Sequence, residues 1–315
     1  MSASASADIS PDLSVFIVAY NSWHHVDTCL YSLQKYCTRD DIEIILVDNG
    51  QDGSGERAAA NYPKVKVLPP IGNVGFGAGN NYAFRHSKGE YILLLNPDTE
   101  ICDNSILVLL NFLKQVSGDV IVGGRTTFND RLDNGNQLRL PSIAVLFKEM
   151  LGASKTHLKI AKRPGQTEPY RVEVVSGAFL MTRRTTWKKL GGFDEGFFLY
   201  FEEVDLCKRL AAVGGAAWVK PDCMVRHDVG SGEKVGETRI MLQLAGEMHY
   251  IRKHFPRGRA AVAFVFVYLT VLRRFLKYAL LSAVDRGCHA GRRAFAKALT
   301  NPSAWRFGYA LKERD

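Results

Sequence analysis

Residues 13–49, LSVFIVAYNSWHHVDTCLYSLQKYCTRDDIEIILVDN, carry the pattern that decides the fold of this chain. Leu13 to Ala19 is apolar and rich in β-branched residues, which predicts a buried strand. Val26 to Tyr36 follows with apolar side chains at helical spacing, and Glu43 to Val47 is a second apolar run that ends at Asp48. A strand, a helix and a second strand in this order predict two parallel strands joined by a crossover helix.

The same alternation continues along the next part of the chain. The further predicted elements are a helix over Ser54 to Asn61, a strand over Val65 to Leu68, a helix over Ala78 to His86 and a strand over Tyr91 to Leu95. Near-continuous apolar strands that alternate with helices indicate an α/β fold with a mostly parallel sheet flanked by helices.

Polar residues follow the predicted strands at their carboxyl ends. They are Tyr20-Asn21, Asp48-Asn49, Gly72-Asn73 and Asn96-Pro97-Asp98. Ligands of open α/β sheets bind outside the carboxyl ends of the strands, so we expect the site at this edge.

The pattern becomes less regular beyond Val120 to Gly124, which is a further predicted strand. Residues 125–171 are polar and contain Gly and Pro, which predicts loops and a helix that cover the site. Val172 to Met181 is typical of a strand interrupted at Gly177. The remaining predictions are a turn over Gly191 to Asp194, a helix containing Val204, Cys207, Leu210 and Ala211, and a short strand over Ala216 to Val219.

The charge of the chain is concentrated near its C-terminal end. The 315 residues carry a formal charge of +9 and suffice for one large domain or two modest ones. Ile240 to Asp315 holds 14 basic and 4 acidic residues, whereas the rest of the chain is close to neutral. Six scattered cysteines without a CxxC pair indicate a reducing compartment, and Met1 to Ser10 lacks the pattern of a secretory signal.

The basic C-terminal part also contains a long apolar run. Ala260 to Leu272 is almost wholly apolar, and Arg273-Arg274 follow it. Thirteen residues are fewer than the ~20 that span a bilayer, so the pattern favours a helix in the membrane interface over residues 256–300. A packing extension or a homodimer interface is the alternative interpretation.

Two segments near the strand ends have residue types suited to a nucleotide. Asp48 can accept hydrogen bonds from a base or a ribose, although a turn-forming aspartate is equally consistent. Asn73 to Asn81, NVGFGAGNN, is glycine-rich and opens a helix. We reject a dinucleotide-binding fingerprint because this segment follows the third predicted strand rather than the first.

Several acidic residues and one histidine are candidates for catalysis or metal binding. Asp98 can hold a divalent cation on a diphosphate, because Mg²⁺ and Mn²⁺ prefer carboxylate oxygen. His227 can complete such a site beside the Gly/Ser-rich residues 230–232, or it can be structural. Glu202, Glu203 and Asp205 open a helix, where a carboxylate among aromatic residues can act as a base and where helix-dipole stabilisation is the alternative.

These motifs, taken in order, resemble one enzyme family. They are VAYN at 18–21, VDN at 47–49, NVGFGAGNN at 73–81, LLNPDT at 94–99, SGAFLM at 176–181, GGFDEGFFLYFEEVDLCKR at 191–209, and His227. The chain from about Leu13 to Gly232 resembles the bacterial family 2 glycosyltransferases of the GT-A fold, a Rossmann-like fold, and especially their rhamnosyltransferase-like branch. The resemblance covers the catalytic domain, which we place at 12–239, whereas composition and charge predict a flexible leader over 1–11 and a basic amphipathic helical tail over 240–315.

The resemblance also implies a role for each candidate residue. Tyr20, Asn21 and Asp48 would line the nucleobase pocket, Asn73, Gly75, Gly77 and Asn96 would frame the rest of the donor, and Asp98 and His227 would hold Mg²⁺ or Mn²⁺. Glu203 would be the base, with Glu202 or Asp205 as alternatives, and Ser176, Gly177 and Glu202 would lie in the acceptor region. The sequence departs from the family pattern at Asn96 and Glu203, where the family usually has aspartate.

The activity implied by the resemblance is inverting sugar transfer in a single displacement. The expected donor is dTDP-rhamnose, with UDP- or GDP-sugars as alternatives, and the expected acceptor is a lipid-linked or cell-surface polysaccharide. The expected location is the cytoplasmic face of the cell membrane, with the enzyme attached peripherally.

Other function classes fit the sequence less well or remain open. A nucleotidylyltransferase would begin with a glycine-rich basic loop after the first strand, and the position of the glycine motif disfavours an NAD-dependent oxidoreductase. The basic tail contains no recognised nucleic-acid-binding module, so we expect no nucleic-acid partner. A non-catalytic binder of sugar nucleotides stays open because of Asn96 and Glu203.

Overall fold

The fold of the chain is α/β, as predicted, with helices on both faces of one large sheet. The structure, a computed structural model, describes residues 10–128, 131–133, 137–152, 166–227 and 236–309. Most of the predicted leader and the Gly/Ser-rich residues 230–232 lie outside these ranges.

The described residues form twelve strands and ten α-helices. The strands are β1 Leu13–Ala19, β2 Ile42–Asp48, β3 Val65–Val67, β4 Tyr91–Leu95, β5 Thr99–Ile101, β6 Val120–Phe128, β7 Arg131–Asp133, β8 Gln137–Leu138, β9 Tyr170–Val172, β10 Val174–Val175, β11 Phe179–Arg183 and β12 Ala216–His227. The helices are α1 Trp23–Tyr36, α2 Ser54–Asn61, α3 Phe76–Arg85, α4 Ser105–Gln115, α5 Ile143–Met150, α6 Arg184–Leu190, α7 Glu202–Ala212, α8 Glu237–His254, α9 Arg257–Leu281 and α10 His289–Thr300.

The main sheet is mixed, and most of its strands run in the same direction. Its order is β3-β2-β1-β4-β11-β6-β12-β5. The first four strands of this order are parallel, as are β6 and β12, whereas β11 is antiparallel to both of its neighbours. The carboxyl ends of β1, β2 and β4 therefore meet at one edge.

Two strand predictions were wrong in a way that matters for the site. Residues 172–181 do not form one strand: the main-sheet strand β9 ends at Val172, β10 pairs with β8 in a separate two-stranded sheet, and residues 176–178, at the predicted interruption, precede β11. The strand predicted over Ala216 to Val219 continues to His227, and β5, which was not predicted, pairs with its end. Helix α4 was also not predicted. The local pattern missed β5 because three residues are too few to show a period.

The buried apolar side chains form three clusters. One lies on the sheet face covered by α1 and α4, and the second lies on the opposite face against α3 and α7. The third is built from α5, α8, α9 and α10. Tyr250 of α8 belongs to the second cluster, so α8 packs against the sheet layer as well as against the C-terminal helices.

Helix α9 is one continuous helix of 25 residues that contains the predicted apolar run and the arginines that follow it. Across the described residues, no helix combines the length and apolar character needed to cross a membrane.

Candidate active site

The ends of β1 and β2 are tied together by side chain to backbone hydrogen bonds. Asn21 adopts a left-handed backbone with φ of 46°, and its Oδ1 accepts from the Gln51 amide at 2.9 Å. The buried carboxylate of Asp48 accepts from the amides of Gly50 and Gly55, both at 2.8 Å. A carboxylate has about four acceptor sites, so Asp48 shapes this loop and keeps acceptor capacity for a ligand. Tyr20 beside it is 56% exposed, which leaves its ring free to stack.

The glycine-rich segment at the start of α3 is held by close backbone packing. Gly75 has φ of 86°, and a Cβ there would lie 2.1 Å from the Phe198 carbonyl oxygen. The Phe76 amide donates to the same oxygen at 3.0 Å. Gly75 is also bonded to Asn73 Oδ1 through its amide and to Asn49 Nδ2 through its carbonyl. The glycine at position 75 is therefore needed for the approach of the loop that ends at Phe198.

Gly77 belongs to the same packing contact. A Cβ at Gly77 would lie 3.3 Å from the Cβ of Phe193, at the far end of the same loop. Its lack of a side chain thus serves the contact between α3 and the segment that precedes α7.

Asp98 and His227 are brought together by the pairing of β5 with β12. His227 is opposite Thr99 in this antiparallel pair. His227 Nε2 lies 3.1 Å from Asp98 Oδ1 and 3.4 Å from Asn96 Nδ2. The Asn96 carbonyl accepts from the Thr99 hydroxyl at 2.6 Å, which fixes the turn between β4 and β5. The three residues predicted at this position therefore form one group.

This group fits a divalent cation that is shared with a diphosphate. Within the described ranges, His227 Nδ1 is buried without a hydrogen-bond partner, and the buried Asp98 Oδ1 lies 3.1 Å from His227 Nε2 but makes no hydrogen bond. Unpaired buried polar atoms are costly, so such atoms at a ligand edge suggest that a ligand completes them. The described residues contain no cluster of three or more metal-binding side chains, which leaves coordination positions for water or phosphate oxygen.

Ser176 and Gly177 lie between this group and the start of α3. The Ala178 carbonyl accepts from the Asn96 amide at 3.1 Å. A Cβ at Gly177 would lie 2.9 Å from the ring of Phe76. The segment therefore connects the Asp98 group with the glycine-rich segment, and Phe76 connects it onward to Phe198.

The turn before α7 is strained. Tyr200 and Phe201 both have left-handed backbones, with φ of 72° and 73°. Residues with side chains rarely adopt this conformation, which costs on the order of 1–3 kcal/mol each. Strain of this kind occurs where the surrounding structure holds it and is common at active sites. Glu202 and Glu203 follow directly as the first two residues of α7.

Glu202 and Glu203 differ in exposure. Glu202 is 3% exposed, and its Oε2 has no hydrogen-bond partner in the described part of the chain. Burial and the neighbouring Glu203 carboxylate raise the pKa of Glu202 well above the ordinary value, which favours its neutral form. Glu203 is half-buried, and burial raises its pKa, although the amides of Glu203 and Val204 oppose this. Glu203 is thus the more accessible of the two carboxylates.

Asp205 is not suited to be a base, which corrects its inclusion among the alternatives. It is fully buried and bonded to Arg209 at 2.8 Å, Lys253 at 2.8 Å and His254 at 2.7 Å. Burial alone would raise its pKa, but these hydrogen bonds and charges lower the pKa of Asp205 to about 2. It ties α7 to the C-terminal end of α8.

Two residues of the C-terminal helices reach the turn before α7 and were not predicted. The Tyr309 hydroxyl donates to the Leu199 carbonyl, and Gly246 of α8 lies against the Tyr200 carbonyl. Burial, with the Glu202 charge, raises the pKa of Tyr309, so its hydroxyl stays protonated. Neither residue stands in a motif, and the sequence carries no signal that would have found them.

Comparison with known proteins places this arrangement in a family. A model described as "Glycosyl transferase family 2" matches residues 14–191 of the chain. This range contains the strand-end residues and the Asp98 turn, and α7 and His227 follow it.

Two curated relatives are similar over most of the chain. The N-acetylglucosaminyl-diphospho-decaprenol L-rhamnosyltransferase of Mycobacterium tuberculosis is 29% identical over 232 residues, which are 68% of this chain and 75% of the relative. The rhamnosyltransferase WbbL of Escherichia coli is 30% identical over 213 residues, which are 64% of this chain and 78% of the relative.

Solved structures show the same fold at low sequence identity. The mannosyltransferase PcManGT from Pyrobaculum calidifontis, solved with GDP-Man and Mn²⁺, has a TM-score of 0.56 at 14% identity and covers 93% of this chain and 88% of its own. GalNAc-T7, solved with UDP, GalNAc and Mn²⁺, has a TM-score of 0.55 at 17% identity over 73% of this chain and 48% of its own.

Proposed function

Because the chain belongs to glycosyl transferase family 2, we propose that this glycosyltransferase moves L-rhamnose from dTDP-rhamnose to a lipid-linked glycan. The observation that supports this best is the continuous set of contacts between two chemically distinct groups. The Asp98–His227 pair at the strand ends leads through Ala178, Gly177 and Phe76 to Phe198 and the turn before Glu203. A donor diphosphate at the first group and an acceptor at the second would meet across this segment.

Glu203 is the proposed base. It would take the proton of the acceptor hydroxyl while the oxygen of that hydroxyl attacks the anomeric carbon. The bond from this carbon to the diphosphate breaks as the new bond forms, so configuration inverts and a nucleoside diphosphate leaves. Its raised pKa matches the task, since a base works best when its pKa is close to the working pH.

Asp98 and His227 would hold a divalent cation, Mg²⁺ or Mn²⁺. The support is the 3.1 Å distance between His227 Nε2 and the buried Asp98 Oδ1, which makes no hydrogen bond. When bound, such an ion neutralises negative charge on the departing diphosphate. Asn96 Nδ2 lies 3.4 Å from His227 Nε2, so a neutral amide stands beside the proposed ligands where the family usually has a carboxylate.

The choice of rhamnose rests on the relatives. Both of those described above carry rhamnosyltransferase in their names, and one is named for a diphospho-decaprenol acceptor. The structurally similar mannosyltransferase was solved with GDP-Man, so a different sugar nucleotide in the same fold is the alternative donor.

A membrane surface is the proposed location of the acceptor. Helix α9 carries one stripe of exposed apolar side chains, Val262, Val265, Leu269, Leu276 and Leu280. The stripe runs from Val262 to Leu280, and the helical rise over this distance is about 27 Å. Arg257, Arg259 and Lys277 are exposed on the same helix, which contains no acidic residue. Apolar and basic residues in this arrangement suit the surface of a bilayer with anionic lipids on the inner face of the membrane.

The first experiment is a donor screen with the full chain. We expect nucleoside diphosphate release from dTDP-rhamnose with Mn²⁺ or Mg²⁺, and loss of release with a chelator. Asp98→Asn should lower the rate at least ~10²-fold, because it removes a charged ligand beside the diphosphate. Asp40→Asn is the matched control, since the Asp40 side chain is 94% exposed.

The other outcomes of the screen are equally informative. If only a UDP- or GDP-sugar released its nucleoside diphosphate, the assignment of rhamnose as the donor sugar would be wrong, while the assignment as a glycosyltransferase would stand. Tight donor binding without release, even with a polyprenyl-diphosphate sugar present, would instead indicate a sugar-nucleotide binder. Unchanged release with a chelator, or in Asp98→Asn, would overturn the role of the cation.

A further inference from the structure

The turn from Leu199 to Glu203 needs support from outside itself. Tyr200 and Phe201 have left-handed backbones, and neither is a residue type that favours this conformation. The turn sets where α7 begins and hence where the Glu203 carboxylate lies. Contacts that hold the turn therefore control the position of the proposed base.

On one side, the start of α3 holds the segment that leads into the turn. The Phe76 amide donates to the Phe198 carbonyl at 3.0 Å, and Gly75 packs directly against the same carbonyl. The start of α3 is also the segment proposed to bind the donor, so the same segment would contact both the donor and the residues that lead into the turn.

On the other side, α8 packs against the turn at Gly246, which has no side chain. A Cβ at Gly246 would lie 2.6 Å from the Tyr200 carbonyl oxygen, 2.8 Å from the Tyr309 hydroxyl and 3.2 Å from the ring of Phe201. Glycine at this position allows α8, the turn and Tyr309 to meet at one point.

Tyr309 makes the polar contact at this meeting point. Its hydroxyl donates to the Leu199 carbonyl, and the carbonyls of Leu242 and Tyr200 lie at 3.1 Å and 3.4 Å. Leu242 is part of α8, so the hydroxyl bridges the helix and the turn. Its ring centroid lies 6.3 Å from that of Phe198, which adds an apolar contact with the same segment.

We propose that Tyr309 is a positioning residue for the transfer reaction, which holds the Leu199–Phe201 turn so that Glu203 faces the acceptor. The C-terminal helices would thereby complete the active site in addition to carrying the exposed stripe of α9. This inference rests on the proposed function of Glu203. It goes beyond that function because it assigns a role to a residue outside the part of the chain matched by the family model.

The Tyr309 hydroxyl can be removed while Trp305 still holds the C-terminal segment in place. Trp305 is fully buried, and its Nε1 donates to the Ala298 carbonyl at 2.9 Å. The segment after α10 is therefore held independently of Tyr309, and Tyr309→Phe keeps the ring contact with Phe198.

The test compares Tyr309→Phe with Tyr278→Phe in the full chain. Tyr278 stacks on Phe295 within the C-terminal helices, away from the turn. We expect Tyr309→Phe to lower kcat about 10- to 100-fold, because small displacements of a reacting group are costly. KM for the sugar nucleotide and the Tm should stay close to those of Tyr278→Phe. Hydrogen exchange at the amides of residues 199–205 should be faster in Tyr309→Phe alone.

Each outcome decides the inference. Equal kcat in the two variants would overturn it, and so would a fall in kcat that is matched by a lower Tm or a higher donor KM. Gly246→Ala, which crowds the same carbonyl, should reproduce the fall in kcat. If the wild-type chain itself transfers no sugar, the proposed function fails. Hydrogen exchange at residues 199–205 tests Tyr309 separately: if exchange in Tyr309→Phe is the same as in the wild type, Tyr309 does not hold the turn.

Discussion

At the residue scale, two adjacent glutamates, Glu202 and Glu203, differ in burial and in the charge that each one faces. Glu202 is enclosed, and Glu203 next to it is partly open. A low-polarity environment raises the pKa of both, and more strongly that of Glu202, which also faces the Glu203 charge. We therefore expect Glu202 to be neutral and Glu203 to be the group that exchanges a proton with the acceptor.

This difference leads to opposite predictions for two equivalent substitutions. Glu203→Gln removes the proton acceptor and should lower kcat by about 10²- to 10⁴-fold. Glu202→Gln replaces a neutral carboxyl with a neutral amide of similar shape and should change kcat much less. Steady-state transfer rates measure both, with Glu237→Gln on the exposed start of α8 as the control. A larger loss in Glu202→Gln than in Glu203→Gln would reverse the assignment.

The raised pKa of Glu203 also predicts the pH dependence of the reaction. The base must be ionised, so activity should fall as the pH decreases through its pKa. Because burial raises that pKa, the acidic limb of kcat/KM should lie above the ordinary value of 4.5. A limb at or below 4.5 in a pH profile of the wild type would contradict a buried base.

At the element scale, α7 is fastened to α8 by a buried cluster of charges. Asp205 of α7 accepts from Lys253 and His254 of α8 and from Arg209 one turn further along α7. Arg209 also donates to the Gly192 carbonyl at 2.8 Å, which connects the cluster to the loop that packs on Gly77. The orientation of the helix that carries Glu203 thus depends on α8.

Removing the central carboxylate should destabilise the protein strongly. Asp205→Asn removes the carboxylate that Arg209 and Lys253 share, and breaking a buried pair costs about 3–5 kcal/mol. Asp222→Asn, which removes an exposed pair with Lys220, should cost about 0–1 kcal/mol. Urea unfolding at neutral pH measures both free energies of unfolding.

The comparison of Asp205→Asn with the wild type also predicts how the contribution of Asp205 to stability depends on pH. The folded-state pKa of Asp205 is about 2, below the ordinary 3.8, so its stabilisation is present above pH 3.8 and is lost as the pH falls toward 2. The difference in unfolding free energy between wild type and Asp205→Asn should therefore shrink over this range. A difference that stays constant from pH 6 to the acid end would show that Asp205 acts through packing.

At the scale of the whole molecule, positive charge and exposed apolar surface coincide in the C-terminal helices. Residues 240–315 carry the excess of basic residues, and α9 exposes its apolar stripe to solvent. Leu280 at one end of the stripe is 76% exposed. From this apolar stripe and the basic residues of the same helix, we expect the surface of α9 to bind a partner.

Vesicle binding tests whether that partner is a bilayer. We expect the chain to co-sediment with vesicles that contain anionic phosphatidylglycerol and much less with neutral phosphatidylcholine vesicles. Leu276→Glu combined with Leu280→Glu should reduce binding at least ~10-fold, because each buried leucine contributes about 1.5–3 kcal/mol. Tyr31→Glu on α1, also at an exposed apolar residue, is the control. If the chain dimerises through α9 and does not bind vesicles, the stripe is a subunit interface.

The fold and the strand-end residues could be predicted because their causes are local in the sequence. The helix over 54–61 and the strand over 91–95 have the predicted bounds, since glycine and proline stand close to both ends of each segment in the sequence. Tyr20, Asn21, Asp48, Asn96 and Asp98 lie at the carboxyl ends of parallel strands because topology alone brings such ends together.

By itself, the sequence determined the α/β class and the family, and it supplied the candidate residues of the site. Only the tertiary structure decided which of them act together. Asp98 meets His227 through a three-residue strand, and the strained turn before Glu203 is held by Tyr309 from 109 residues further along the chain. Burial separates Glu202 from Glu203, and ion pairing removes Asp205 from consideration as a base. Contact, burial and charge pairing between distant segments depend on packing in three dimensions, which local residue patterns do not encode.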